Sequence, residues 1–342
     1  MTSSNSLRLG VIGTGHMAAR YARSWVSMPE VAYRAVSDVN TASRRKFIDI
    51  CRSAGQSEPR EFDDFRSMLA VCRDELDAVY VSTPHALHAE HAIAVVESGL
   101  DLLIEKPMVT TAAEAERLIL ARDQSRSTIV IAFQGALSPL LADTRRRAQA
   151  GEFGELVSVA GTIWENWSSR YEGHWKQQMD LSGGGFMFDT GAHMINTVCL
   201  LADADCERVS AFMNNRQRSV DVVCAVAGRL ATGTLLTLNA AGEGPAGCSS
   251  QITLFYNQTI VRIDAWGSWR EIAVAGAPGL REELEITNNP LKSFLAIRAG
   301  NAENLSTVET GLRFARLWDA IKASAAKDGE PVAVPPGAMT AR

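Results

Sequence analysis

Several things are scarce in this chain of 342 residues, and each scarcity excludes something. No uninterrupted apolar run is long enough to span a bilayer, so no membrane-spanning helix is expected within it. The start, Met1 to Ser6, has no charged stretch followed by an apolar one, so no secretory leader is expected. Cysteine is sparse. The six residues Cys51, Cys72, Cys199, Cys206, Cys224 and Cys248 form no C-x-x-C pair and no Cys/His cluster with zinc spacing. They read as small buried apolar residues in a reducing compartment, and a cytoplasmic location without a bound metal is expected. Positive charge is also short. The net charge of -5 leaves no footprint for nucleic acid or an anionic membrane, and Arg145-Arg146-Arg147 reads as one exposed helix face. Internal repeats and low-complexity tracts are missing, apart from a loose tail at Pro335-Pro336-Gly337.

What is present describes a globular protein of two domains. Apolar residues make up 46% and charged residues 21%. The first part alternates strands and helices. Strands are expected at Leu7 to Ile12, Val31 to Ser37, Ala78 to Ser82, Leu102 to Ile104 and Ile129 to Phe133. Helices are expected at Met17 to Ser27, His88 to Ser98 and Thr111 to Ser125. This is the rhythm of βαβ units and a parallel sheet. After Gln134 the pattern changes. A helix over Pro139 to Ala150 leads to a strand over Leu156 to Trp164, and a helix over Phe186 to Leu201 follows. Extended runs at Arg208 to Asn214, Val220 to Val226, Gly233 to Asn239, Gln251 to Tyr256 and Thr259 to Asp264 predict a mainly antiparallel sheet. Leu305 to Ala325 closes the fold as a helix. The boundary falls near Gln134, giving domains over 1–134 and 135–342.

Three motifs carry chemistry. Gly13-Thr14-Gly15-His16-Met17-Ala18 has G-x-G-x-x-A spacing between a strand and a helix. Gly13 allows a tight turn, Gly15 lets the backbone approach a pyrophosphate, and Ala18 permits close packing. The N–H groups at the start of the helix, around His16 and Met17, favour the anion. Asp38 ends the second strand, where an acid can bind ribose hydroxyls and repel a 2′-phosphate. It favours NAD; Arg44 and Arg45 leave NADP open, and a helix-capping role for Asp38 stays open beside this. The second motif is Glu105-Lys106-Pro107, at the carboxyl end of a strand, where open α/β sheets bind ligands. Pro107 fixes the turn and leaves a cis bond open. The third is Gly183-Gly184-Gly185 followed by Asp189 and His193. On a helix these two lie one turn apart on one face and could hold and deprotonate a hydroxyl. Each motif alone has a plain structural meaning: a turn, a surface loop, a helix pair. Their joint occurrence in the right contexts does not.

Together with Ser82-Thr83-Pro84 and His88, these motifs resemble the glucose-fructose oxidoreductase / inositol 2-dehydrogenase / rhizopine-catabolism family (Gfo/Idh/MocA), through motifs from Leu7 to about Leu201. The resemblance implies an α/β protein: an N-terminal Rossmann parallel sheet, then an α+β domain with a large, mainly antiparallel open sheet that often forms a homodimer or homotetramer. It implies a catalytic set of Lys106, Asp189 and His193. His193 would take the hydroxyl proton, Lys106 would hold the reacting oxygen, and Asp189 would orient the substrate or His193. The cofactor would be held by Gly13, Gly15, His16, Met17, Asp38, Ser82, Thr83, Pro84, His88, Glu105 and Lys106. The expected reaction is hydride transfer between a sugar, polyol or cyclic alcohol and NAD or NADP. Two alternatives stay open: a redox-neutral glycoside-cleaving enzyme with retained NAD, and a non-enzymatic cofactor-binding regulator. The chain departs from the family at Gln134-Gly135-Ala136-Leu137-Ser138-Pro139, where arginines are frequent, and at Asn196, where Asp is frequent. Finally, the stretch 164–175 holds three of the seven tryptophans. Trp167, Arg170, Tyr171 and Trp175 are expected to wall a sugar pocket, with core or interface packing as the equal alternative.

Overall fold

The structure is a computed structural model that describes residues 6–274, 276, 278–284 and 289–336. The first five residues and Gly337, on which the leader and tail expectations partly rest, lie outside them. The chain divides into two compact units. The first comprises Met1–Val109, Ala113–Ala132 and Leu291–Val308; the second comprises Thr110–Ala112, Phe133–Pro290 and Glu309–Arg342. Two segments cross a single cut near Gln134: Thr110–Ala112 goes with the second unit and Leu291–Val308 with the first. Leu291–Val308 belongs with the first unit because it satisfies the edge of that unit's sheet. Ile131 N–H donates to Ser306 O at 3.0 Å, Ser306 Oγ donates to Ile131 O at 2.7 Å, and Asn304 Nδ2 donates to Ile129 O at 2.8 Å.

The first unit is built on strands β1 (Leu7–Ile12), β2 (Val31–Ser37), β3 (Arg60–Phe62), β4 (Ala78–Val81), β5 (Asp101–Ile104) and β6 (Ile129–Ile131). Among the described residues they form a six-stranded sheet in the order β3-β2-β1-β4-β5-β6, with every pair parallel. This is the Rossmann order. Parallel strands are covered on both faces, so β4 and β6 are buried at every position. Helix α1 (His16–Trp25) turns Ala18, Tyr21, Ala22 and Trp25 inward. Trp25 stacks on Tyr21 at 4.8 Å and meets Tyr80 of β4 edge-on at 5.1 Å. Helix α2 (Thr41–Ser53) was not expected from its polar sequence; it buries Phe47, Ile48 and Cys51, and Asn40 caps it by accepting from Ser43 N.

The second unit is built on β7 (Leu156–Glu165), β8 (Cys206–Asn214), β9 (Val223–Leu230), β10 (Leu235–Ala241), β11 (Cys248–Tyr256), β12 (Thr259–Ile263), β13 (Trp269–Val274), β14 (Leu280–Glu283) and β15 (Val332–Ala333). The sheet order is β14-β13-β12-β11-β7-β10-β9-β8-β15. It is antiparallel except where β10 runs parallel to β7. Residues alternate along each strand, as a one-sided sheet requires. Leu236, Leu238 and Ala240 are buried on β10, whereas Leu235, Thr237 and Asn239 face out. Phe212 and Leu235, 56% and 60% exposed, stand on the open face. The helix Gly191–Ala202 is buried along nearly its whole length.

Candidate active site

In the first unit the chain leaves β1 at Gly13 with φ +87°, a left-handed conformation that suits glycine. A Cβ there would also lie 2.6 Å from Ser82 O. The β1 turn and the Ser82-Thr83-Pro84 turn thus touch backbone to backbone. Gly15 differs: a Cβ on it would meet no protein atom within 4 Å. It starts α1, whose first turn has no side-chain cap. The His16 and Met17 N–H groups at this end can take an anion, and a side chain on Gly15 would fill the approach, so the turn fits a pyrophosphate.

Asp38 is tied to the same turn. Its Oδ2 accepts from Thr14 N at 2.8 Å and Thr14 Oγ1 at 3.2 Å, while Oδ1 accepts from Asn40 N at 2.8 Å. The side-chain cap of α2 is Asn40. Two carboxylate oxygens can accept about four bonds, so Asp38 retains capacity for a ribose hydroxyl. Arg44 is committed elsewhere. Its guanidinium donates to Asp38 O at 2.5 Å, Thr41 Oγ1 at 3.1 Å and Glu61 Oε2 at 3.3 Å. Arg45 is exposed.

His88 is fully buried, with Nδ1 2.8 Å from Pro107 O and Nε2 2.9 Å from Thr83 O. A ring occupied at both nitrogens ties these two turns together. A neutral imidazole donates to one of these carbonyls, an imidazolium to both. Burial pushes the His88 pKa down and outweighs the carbonyls, which pull it up. Glu105 also turns inward, accepting from Tyr80 Oη at 2.7 Å. Lys106 follows β5, half-buried, and the Lys106–Pro107 peptide is cis.

In the second unit the three glycines serve the protein's own packing. Gly183 has φ +71° and ends the short helix Met179–Ser182. A Cβ on Gly184 would lie 2.5 Å from Trp318, and one on Gly185 would overlap the Asp221 carbonyl. Asp221, which sequence reasoning missed, holds this turn: its carboxylate accepts from Gly185 N at 2.6 Å and Met187 N at 3.0 Å. Burial pushes its carboxyl upward against those two N–H groups.

The expected continuous helix is two segments, Phe186–Asp189 and Gly191–Ala202, joined through Thr190 in a right-handed helical conformation. Asp189 and His193 therefore stay one turn apart. Asp189 is almost fully buried. Its Oδ2 accepts from Lys176 Nζ at 2.6 Å and from Trp167 Nε1 at 2.9 Å. His193, 7% exposed, is framed by Phe133 at 6.0 Å and Trp266 at 5.8 Å. Neither Lys176 nor Trp266 carried a sequence signal.

In the aromatic stretch, Trp167 has no exposed surface, packs on Phe186 and Tyr171 and donates to Asp189. Arg170 pairs with the buried Glu165 at 3.0 Å, and Glu165 also accepts from Thr190 Oγ1 at 2.9 Å. Tyr171 and Trp175 are half-buried. The segment that departs from the family is structural: Gly135 packs against Ala265 and Thr197, and Ser138 Oγ donates to Gly267 O at 2.6 Å. None of the six cysteines forms a disulfide with another, and Cys248 alone is exposed. Among the described residues there is no group of three His, Cys, Asp or Glu side chains able to hold a metal.

A glycine turn in a Rossmann sheet, followed by a separate unit with a large open sheet, defines the class of two-domain NAD-binding proteins. Residues 7–133 match the oxidoreductase family with an NAD-binding Rossmann fold, GFO/IDH/MocA, and residues 141–260 match the GFO/IDH/MocA C-terminal domain. The chain belongs to this family. It is similar to D-xylose 1-dehydrogenase [NADP(+)] of Haloarcula marismortui, 29% identical over 207 residues, covering 59% of this chain and 56% of that protein. It is also similar to levoglucosan dehydrogenase of Pseudarthrobacter phenanthrenivorans, 26% identical over 199 residues, covering 56% and 50%. The chain thus spans about half the length of these curated relatives. A solved levoglucosan dehydrogenase in complex with NADH and levoglucosan shares the fold, with TM-score 0.83, 22% identity, and coverage of 96% of this chain and 99% of that one.

Proposed function

We propose that this protein transfers a hydride between a hydroxyl-bearing carbon of a sugar, polyol or related cyclic alcohol and a nicotinamide dinucleotide. The observation that carries the reading is the Asp38 carboxylate bonded to the Gly13–Gly15 turn, in a chain that also buries Asp189 and His193 one turn apart. Bound nicotinamide supplies the hydride acceptor or donor. Gly13, Gly15, His16 and Met17 would hold its pyrophosphate and Asp38 its ribose, with the Ser82-Thr83-Pro84 turn against Gly13. His193 Nε2 or Nδ1 takes the hydroxyl proton as general base. Lys106 donates to the reacting oxygen and steadies the negative charge that develops there. Asp189, held by Lys176 and Trp167, orients the substrate or His193. NAD is favoured over NADP, because the Asp38 carboxylate would repel a 2′-phosphate and Arg44 is spent on Asp38, Thr41 and Glu61.

The protein works as a homodimer or homotetramer through the open sheet face that bears Phe212 and Leu235, and in the cytoplasm, where unpaired thiols persist. No helix among the described residues is long and apolar enough to cross a membrane.

The test is to incubate the purified protein with NAD or NADP and a panel of sugars, inositols and glycosides, following reduced nicotinamide. The reading expects net reduction with at least one neutral sugar or polyol. Glycoside cleavage without net reduction, with nicotinamide surviving purification, would replace it by the redox-neutral chemistry.

A further inference from the structure

We propose that Lys176, with the rings of Tyr171 and Trp175, forms a subsite that reads one hydroxyl oxygen of an uncharged pyranose or cyclic polyol. The inference rests on the sugar reading above and narrows it to neutral substrates.

The turn Trp175–Gln177 is built to hold this lysine. Lys176 N–H donates to His174 Nδ1 at 3.4 Å, and the buried Gln177 Nε2 donates to Ser168 O at 2.7 Å. The ammonium reaches Asp189 at 2.6 Å and lies 4.5 Å from the Tyr171 ring centroid and 6.0 Å from that of Trp175. An ammonium has three N–H donors. Asp189 takes one, and aromatic faces take none as ordinary acceptors. With the side chain 17% exposed, donor capacity is left at a surface flanked by two half-buried rings. Rings suit the C–H faces of a sugar, and an ammonium suits a hydroxyl oxygen beside them.

Charge decides the class of ligand. Lys176 is neutralised by Asp189, Arg170 by Glu165 at 3.0 Å, and Arg218 by Glu172 at 2.9 Å. Arg170, Lys176 and Arg218 are therefore all paired. A phosphate or carboxylate would have to compete with a buried carboxylate already in place, whereas a hydroxyl only adds a bond. Neutral sugars fit; sugar phosphates and sugar acids do not.

The experiment is calorimetric titration of the NADH-loaded wild type, Lys176→Met and Lys176→Arg with xylose, glucose, myo-inositol, levoglucosan, each monodeoxy glucose, gluconate and glucose phosphate. The proposal expects one deoxy position to cost the wild type roughly ten-fold to a hundred-fold in affinity, the worth of a charge-assisted hydrogen bond. Lys176→Met should bind the parent sugar that much more weakly and no longer distinguish the deoxy analogue. Lys176→Arg keeps the Asp189 pair and should fold normally while its deoxy discrimination changes. Equal weakening of parent and deoxy sugars in Lys176→Met would overturn the subsite, because Lys176 would then act only through Asp189. Tighter binding of gluconate or glucose phosphate than of any neutral sugar would also overturn it. A wild type that binds none of the panel would overturn the subsite and the sugar reading together. Sugars bound with the expected discrimination but never oxidised would leave the subsite standing and sink the oxidoreductase reading alone.

Discussion

Replacing Asp221 by Ala should unfold the second unit earlier and slow any turnover. Asp221 accepts from Gly185 N at 2.6 Å and Met187 N at 3.0 Å in a buried setting. The Ala variant leaves both N–H groups buried without a partner. Each such group costs about 1–3 kcal/mol, so the loss is about 2–6 kcal/mol. For a unit of this size, 1 kcal/mol corresponds to roughly 2–4 °C, which puts the fall in Tm at roughly 5–20 °C. Asp221→Asn keeps one acceptor oxygen and turns an NH₂ toward the other N–H, so it should lose about half as much. The same turn launches the helix that carries Asp189, so kcat should fall further than the fraction folded explains. The assay is thermal unfolding by circular dichroism, with the exposed Asp180→Ala as control, alongside turnover at a temperature where all variants are folded. A Tm within about 2 °C of wild type for Asp221→Ala would refute the reasoning, since buried unpaired N–H groups cannot be that cheap.

Three further predictions concern the first unit. Asp38→Ser should weaken NADH by roughly ten-fold or more, the worth of a charged hydrogen bond to ribose, and narrow the preference over NADPH; parallel fluorescence titrations that show an unchanged ratio would refute this. His88→Ala should lower kcat about ten-fold to a hundred-fold with a smaller change in NADH affinity, because it loosens the turns at Thr83 and Pro107; affinity falling as much as kcat would return His88 to a direct cofactor role. His91 is lowered to about 4 by burial, against an ordinary 6.5. Its folded pKa lies below the unfolded one, so the neutral ring's contribution, about 3 kcal/mol, is present above pH ~6.5 and drains away as pH falls toward about 4. Denaturant unfolding across that range should therefore show a steeper acid decline in wild type than in His91→Gln.

The motifs were legible in the sequence because each depends on local geometry. Gly13 with Asp38 needs only a strand, a turn and a helix in register, and the continuous apolar runs of β4 and β6 announce buried parallel strands. Helix α2 was not legible, since Phe47, Ile48 and Cys51 are few among Arg44, Arg45, Lys46 and Arg52. Strand β3, Arg60-Glu61-Phe62, is a three-residue edge with no apolar run. Alternation along β7 and β10 reveals two faces but not that the pair is parallel, which is a property of partner choice. The aromatic stretch could not disclose that Trp167 points inward, because tryptophan suits core and sugar face alike. Asp221, between Val220 and Val222, read as part of a strand; its cap on Gly185 is a contact across 36 positions. Lys176 is one basic residue in a polar turn until Asp189 is brought beside it.

The most direct test of the central claim separates chemistry from cofactor binding. His193→Ala and Lys106→Ala should each lose turnover on the sugar that the wild type oxidises, by a factor of roughly a hundred or more, while NADH titrates with nearly wild-type affinity. Turnover that survives in either variant would contradict the account.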